Sequence, residues 1–471
     1  MSCFWPGVPA RRRRGCPASP PHSLLRRFWQ LAVPVSLQSM VGALYGVVDM
    51  YMVGHLGASA VAAVGLASSF IGVLFLVLVA LGSGVGVLAA QYHGHGSADG
   101  VRQVTAQGIL LSLACCLPLI GLMVWQAPAL LALASHDPQL VSQGAPFLAV
   151  VAVSILCPAI TIPFESSLRA TGVVLLPAVL GMACIPLNAL LNYLLIFGAG
   201  PIPAMGVLGS ALGTLLVRGL HLLVLVGLCY LRHLPARVGR ADWRRALQRT
   251  PLRHFMQIAV PLLVHDVLWA LGMIVYNLVF ARSGVTALAA FSQLGVIESV
   301  LICAFVGCSV ACSTLLGQSL GNGQLQVAWQ QARTLLIACL VLALGGGLLL
   351  CWGSGAIAHW STRLQGEALD FYRYGLQVLG LTLSIRILNM VGIVGVLRSG
   401  ADTRATIVID LVGMWLVGLP LAAAGILYAQ WPFYLLYLIP VLQELIKLLM
   451  TLWRIRQRYW LRNLVLVATH S

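Results

Sequence analysis

Two carboxylates, Asp49 and Asp266, stand deep inside long apolar stretches of this chain. An ionised side chain at the centre of a bilayer costs about 2.5–3.5 kcal/mol on insertion scales, so such acids imply a proton, a cation or a polar partner. Around Asp49, Gln38, Gly42, Tyr45 and Met52 fall at −11, −7, −4 and +3, on one helix face. One polar stripe on an apolar helix predicts a face turned into a bundle interior; a plain helix–helix hydrogen bond is the simpler use of the same residues. Asp266 heads a second stripe, with Trp269, Met273 and Asn277 at +3, +7 and +11. Acid, π-face, thioether and amide together suit an amphipathic cation, so this stripe, with Tyr45, is read as substrate-binding. Trp and Met by themselves would be ordinary packing. His265 points off another face and reads as a contact to a neighbouring helix, with a proton relay as the alternative.

The remaining intramembrane charges are less legible. Glu444 has Lys447 at i+3, which predicts a structural ion pair. Glu298 and Asp410 are candidates for pairing with Arg218 or Arg386. His93 and His95 flank a loop and read as solvated. Cys308 and Cys312 share a helix face, but beside Gly307 and Ser309 they read as small-residue packing rather than a soft-metal site. Paired CxxC motifs and H-E-x-x-H are absent from the sequence, which disfavours a metal centre or an intramembrane enzyme.

These residues need a membrane scaffold. Of 471 residues, 60% are apolar and 8% charged, and the mean hydropathy is +0.94. A soluble domain carries about 25% charged residues, so most of this mass belongs in lipid. That excludes a soluble enzyme, a nucleic-acid-binding module and a disordered scaffold. The apolar runs predict twelve spans near 28–53, 58–90, 101–127, 143–168, 173–198, 205–231, 255–280, 286–318, 329–354, 370–398, 405–429 and 431–455. The +16 charge sits at span ends. Of 28 basic residues, 22 lie on the amino-terminal side and three (Arg282, Arg363, Arg373) on the other. By the positive-inside rule both termini are expected in the cytoplasm, in the plasma membrane.

The sequence also repeats. Shifted by 227 residues, 32–96 aligns with 259–323 without a gap, with identities that include Pro34/Pro261, Gly57/Gly284, Gln91/Gln318, Gly94/Gly321 and Gly96/Gly323. Leu168-Arg169 echoes Leu397-Arg398 at an offset of 229. Six spans per repeat predict two lobes in the same orientation, related by a pseudo-two-fold along the membrane normal. The expected organisation is a disordered basic cytoplasmic tail over 1–24, a six-helix lobe over 25–231, an Arg-rich cytoplasmic linker over 232–254, a second six-helix lobe over 255–455 and a cytoplasmic tail over 456–471. A short surface helix is expected around 242–249.

Several motifs in order resemble the bacterial type of the MATE family, the multidrug and toxic compound extrusion transporters. They are Pro34…Val48-Asp49…Gly54, Gln91-x-x-Gly94-x-Gly96, Leu168-Arg169, Pro186-Leu187-Asn188-x-x-x-Asn192, Gly206-x-x-Gly209-x-Ala211-x-x-Thr214, Pro261…Asp266-x-x-Trp269 and Leu397-Arg398-Ser399-Gly400-Ala401-Asp402. The resemblance covers nearly the whole chain after residue 25. It implies antiport, in which H⁺ or Na⁺ entry drives export of organic, often cationic, amphipathic compounds, without a cofactor or resident metal, by a monomer in the inner membrane. It also implies that Asp49, Asn188, Asn192 and Thr214 form the amino-lobe cation site. Many relatives carry Asp where Asn192 stands, which leaves Asp49 as the charge there. Asp402 matches the end of the tenth span, as a cation ligand or a partner of Arg398 or Arg404. The competing reading within the same superfamily is a lipid-linked saccharide flippase, whose anionic cargo would call for cavity-facing arginines; only Arg218 and Arg386 lie deep.

Overall fold

The computed structural model describes residues 21–134, 137–198, 200–201, 203–361 and 365–466. Twelve of its helices are long and apolar enough to cross a membrane. They are α1 (Ser23–Gly54), α2 (Ala58–His95), α3 (Ala98–Trp125), α4 (Pro138–Ala170), α5 (Leu175–Phe197), α6 (Val207–Leu231), α7 (Arg249–Ser283), α8 (Val285–Gly321), α9 (Leu325–His359), α10 (Glu367–Gly400), α11 (Thr403–Leu427) and α12 (Phe433–Arg456). Each falls on one of the apolar runs read from the sequence. The first 20 residues of the expected amino-terminal tail lie outside the described residues, as does the side chain of Tyr45. With an even number of spans, the two ends of the bundle's chain emerge on the same side, called here the terminal side.

The repeat is built into the turns. Gly57 and Gly284 open α2 and α8 with φ of 106° and 102°, and Gly96 and Gly323 close them with φ of 83° and 76°. Side chains with a Cβ rarely adopt these angles, so all four positions hold the residue that lets a long helix reverse in two or three residues. The helices between them run 38 and 37 residues, well past the 20 or so that a bilayer needs. Helices α1–α6 and α7–α12 form the two lobes, with α2 and α8 at the seam.

The lobes meet in the terminal-side half. The Ser36 hydroxyl accepts from Gly307 N–H at 3.2 Å, and Gly84 packs on Ala259. Nearer the terminal face, Gly94 and Gly321 let α2 and α8 cross backbone on backbone, each against the glutamine that begins the other's motif. Gln91 donates to the Ser399 carbonyl at 2.8 Å, and Gln318 donates to the Ala170 carbonyl at 2.9 Å. Ala170 and Ser399 are themselves repeat mates at offset 229, so the seal is reciprocal.

Past the last span the chain does not trail away as a free tail. Trp460 is fully buried, and its carbonyl lies so close to Gly400 that only glycine fits there. Leu464 N–H donates to Gln91 Oε1 at 2.8 Å, and the Asn463 amide donates to the Gly321 carbonyl at 3.1 Å. The tail straps the seal on one side and breaks its symmetry. The linker holds the helix Arg240–Ala246, where the expected surface helix was placed. Asp242 caps it by accepting from Gly239 N–H at 2.8 Å, and Arg245 pins it to α3 through Asp99 at 3.3 Å.

Candidate functional site

In the amino lobe the residues singled out from sequence converge. Asn188 and Asn192 lie four apart on α5 and so face the same way. Asn192 Nδ2 donates to Asp49 Oδ1 at 2.5 Å and to Asn188 Oδ1 at 3.1 Å. Both asparagines are buried, and Asp49, on α1, is half-buried. Helix α6 approaches through Gly213, where a Cβ would stand 2.2 Å from Asn192 Oδ1. Thr214, the next residue on α6, is also buried. Asn188 Nδ2 and Asn192 Oδ1 have no hydrogen-bond partner among the described residues. One carboxylate and two amide oxygens are hard oxygen donors, suited to an alkali cation or a proton and poor for a soft metal.

The same lobe holds two adjoining cavities of about 240 and 200 Å³, which share Arg218 and His221 in their linings. Arg218 Nη1 donates to Ser154 Oγ at 2.6 Å, and the guanidinium lies 5.0 Å over the Phe75 ring.

The carboxy lobe carries a relay of buried charge that the sequence only partly revealed. Arg398 Nη2 donates to Asp266 Oδ1 at 2.6 Å and lies 2.8 Å from His265 Nδ1. His265 Nδ1 is 3.0 Å from Asp266 Oδ1, and its Nε2 is 2.8 Å from Asp410 Oδ2 without hydrogen-bond alignment. Lys447 Nζ follows at 2.9 Å from Asp410 and 3.4 Å from Glu444. Asn389 and Gln443 donate to Glu444 at 2.8 and 3.3 Å, and Tyr276 donates to Gln443 at 2.6 Å. Three carboxylates thus face two permanent cations, and a protonated His265 makes the sum zero. Neutral, its Nδ1 accepts from Arg398 but turns a lone pair toward Asp266; protonated, it satisfies Asp266 and opposes Arg398. Each state satisfies one neighbour at the other's expense, which suits a group that exchanges a proton. Two π-helical stretches, Val391–Leu397 and Leu411–Gly418, border this relay. Such insertions are frequent at functional sites.

Several expectations change here. Asp266 was read as a counter-charge for substrate, but Arg398 already neutralises it. Trp269 and Met273 are 45% and 38% exposed, and the Asn277 amide turns back to the Met273 carbonyl at 2.9 Å. The stripe is an open face without the free acid expected at its foot. Asp402 pairs with neither Arg398 nor Arg404; Arg454 grips it with two nitrogens at 2.7 and 3.0 Å. Arg386 pairs with Glu298, Lys447 with both Glu444 and Asp410. His265 does contact a neighbouring helix, through Asp410 on α11. Cys308 and Cys312 are buried packing residues, and no cluster of three metal-binding side chains occurs among the described residues.

Known proteins agree with this architecture. The family model MatE matches residues 34–194 and again 261–424, and the second match begins 227 residues after the first, the offset of the internal repeat. A Thermotoga maritima protein named probable multidrug resistance protein NorM is 23% identical over 403 residues, 85% of each chain. One of the same name from Synechocystis is 27% identical over 444 residues, covering 85% of this chain and 90% of its own. Among solved structures, a MATE transporter of Vibrio cholerae in its bent form has a TM-score of 0.83 at 18% identity, over 94% of this chain and 99% of its own. A MOP superfamily transporter from Pyrococcus furiosus has a TM-score of 0.83 at 17% identity, over 94% and 98%. These two establish the fold.

Proposed function

Because this chain belongs to the MatE family, we propose that it is a secondary active transporter of the plasma membrane, exporting amphipathic organic compounds in exchange for H⁺ or Na⁺. Support for multidrug export comes from the names of the relatives; support for ion coupling comes from this molecule. The observation that carries it is the Asp49–Asn192–Asn188 group, a half-buried acid on two buried amides, set in one lobe of a bundle whose two lobes are sealed in the terminal-side half. In this reading Asp49 takes the coupling ion, with Asn188, Asn192 and Thr214 as neutral ligands. Ion and cargo need only favour different states of the seal for one gradient to drive the other. Cargo enters while the terminal side is open and leaves when the seal has closed behind it.

Two measurements test this. Purified protein in proteoliposomes is expected to move a fluorescent dye when a Na⁺ or a pH gradient is imposed, and not without one. Movement at the same rate with neither gradient would exclude antiport. Second, cysteines introduced into the 232–254 linker are expected to react with an impermeant maleimide only from the cytoplasmic face, because the arginines gather on that side. Reaction from outside whole cells overturns the proposed orientation.

A further inference from the structure

The linker between the lobes carries more charge than a topology signal needs. The other turns on the terminal side manage with one or two arginines: Arg102, Arg169, Arg333, and Arg398 with Arg404. Residues 232–254 hold seven arginines against one acid, Asp242. That acid is buried and spent on the Gly239 N–H at 2.8 Å. Asp99, on α3, answers Arg245 at 3.3 Å and Arg102 at 3.6 Å. Arg232, Arg240, Arg244, Arg249 and Arg253 are exposed, and none of them makes an ion pair among the described residues.

The segment is docked, so these charges are held in place. Ala236, Val238 and Ala246 are buried in one apolar cluster with Ile109 of α3 and with Leu225 and Cys229 of α6. Tyr230 donates to the Val238 carbonyl at 2.6 Å. With its inner side committed to the span ends, the helix Arg240–Ala246 leaves its outer side to the surroundings. Arg240, Arg244 and Leu247 lie at i, i+4 and i+7 and share that side. Leu247 is 66% exposed, and Leu231, where α6 ends beside Arg232, is 79% exposed. The partner that suits this surface is anionic, with apolar material just beneath its charge. A layer of phosphate headgroups over acyl chains has both properties, and it lies where α6 and α7 leave the bilayer. A soluble anion or a nucleic acid would answer the arginines but leave both leucines in water.

We propose that the outer face of the 232–254 linker binds the headgroups of anionic phospholipids in the terminal-side leaflet, with Arg240, Arg244 and Arg249 on the phosphates and Leu247 at the acyl boundary. The site does not depend on the transport reading. It is tested on the full-length protein, with its native cysteines replaced and a bimane fluorophore on Ala241→Cys, in phosphatidylcholine nanodiscs. The discs hold about 5% of a lipid with a nitroxide high on its acyl chain, either phosphatidylglycerol or phosphatidylcholine, and quenching reports which lipid gathers at the linker. Labelled phosphatidylglycerol is expected to quench about fivefold more than labelled phosphatidylcholine, the enrichment that one arginine at an anionic surface can give. Neutralising Arg240→Gln, Arg244→Gln and Arg249→Gln together is expected to bring the ratio to within about 1.5-fold of one, and the three lysine substitutions to keep most of the preference. In the unsubstituted linker, about 0.5 M NaCl should at least halve the excess, a readout that needs no variant. A ratio of one in the unsubstituted linker, or an undiminished ratio in the glutamine variant, overturns the proposal. So does an equal ratio at a label on Leu133→Cys, on the opposite side, which would mean that anionic lipid gathers around the whole protein. Loss of the preference in inorganic phosphate at constant ionic strength would reveal a small-anion site and overturn the lipid assignment.

Discussion

Asp49→Asn is expected to bind dye within about threefold of wild type and to lose gradient-driven export by about 100-fold. Binding should survive because Asn keeps an oxygen where Asp49 Oδ1 accepts from Asn192 at 2.5 Å, so the contact between α1 and α5 is preserved. Export should fail because Asn192 and Asn188 cannot titrate and Asp49 is the charge of this group. An antiporter needs one residue that is charged in one half of the cycle and neutralised, by a proton or by Na⁺, in the other. A permanent amide holds the neutral state throughout. Asp49→Ala removes the acceptor as well, leaving Asn192 Nδ2 with Asn188 alone. Its added cost is about 1–3 kcal/mol, the penalty of a weakened buried polar group, and should appear as lower expression or thermal stability. The readout is dye movement in proteoliposomes under each gradient, normalised to the protein incorporated. Wild-type export by Asp49→Asn would move the coupling site to the carboxy lobe, where His265 between Asp266 and Asp410 becomes the first candidate.

The contrast between the lobes shows what the sequence could carry. Twelve spans were legible because lipid demands apolar runs of a set length, and the repeat because Gly57/Gly284 and Gly96/Gly323 hold backbone angles that few other residues tolerate. Asp49, Asn188 and Asn192 were legible together because each sits on one face of its own helix and the family motif orders the helices. The carboxy-lobe relay was not, because its links are long-range choices among several cations. Asp266 lies 132 residues from Arg398, and Asp402 lies 52 from Arg454. Helical periodicity says which way each acid points, but not which base waits there. The π-helical stretches that rotate α10 and α11 beside the relay have no signal in runs such as Leu411–Gly418. The strap over the seal was hidden for another reason. Arg458 to Asn463 reads as a tail, and the Gln91 amide that fastens it, donating to the Arg462 carbonyl and accepting from Leu464 N–H, is some 370 residues away in sequence. A cue was present in His265-Asp266, two adjacent titratable residues in one apolar span. It pointed to a proton site but not to its charge balance.

The seal itself supplies the other large effect: Gly94→Ala combined with Gly321→Ala is expected to reduce the closed terminal-side state by about 100-fold. A Cβ at Gly94 would stand 2.0 Å from the Gln318 carbonyl oxygen, and one at Gly321 would stand 1.9 Å from that of Gln91. Both obstacles are backbone atoms, which cannot rotate aside as a side-chain tip can. The helices must separate by more than an ångström to restore van der Waals distance, and packed interfaces resist such shifts. Separation also stretches the Gln91–Ser399 and Gln318–Ala170 hydrogen bonds and pulls Leu464 from Gln91. Three such bonds at about 1 kcal/mol each give the expected factor. Methyl groups at the crossing should therefore hold the terminal side open, and export should stop for want of a closed state. Spin labels at His93 and Asn322, both exposed at that end, in a chain with its native cysteines replaced, report the separation. The double variant should show a longer distance than wild type. Gly86→Ala, on the same helix but with its nearest neighbour 4.0 Å from the added carbon, should not. An unchanged distance in the double variant would mean that the crossing yields more easily than its geometry implies, and that the lobes are held closed by some other contact.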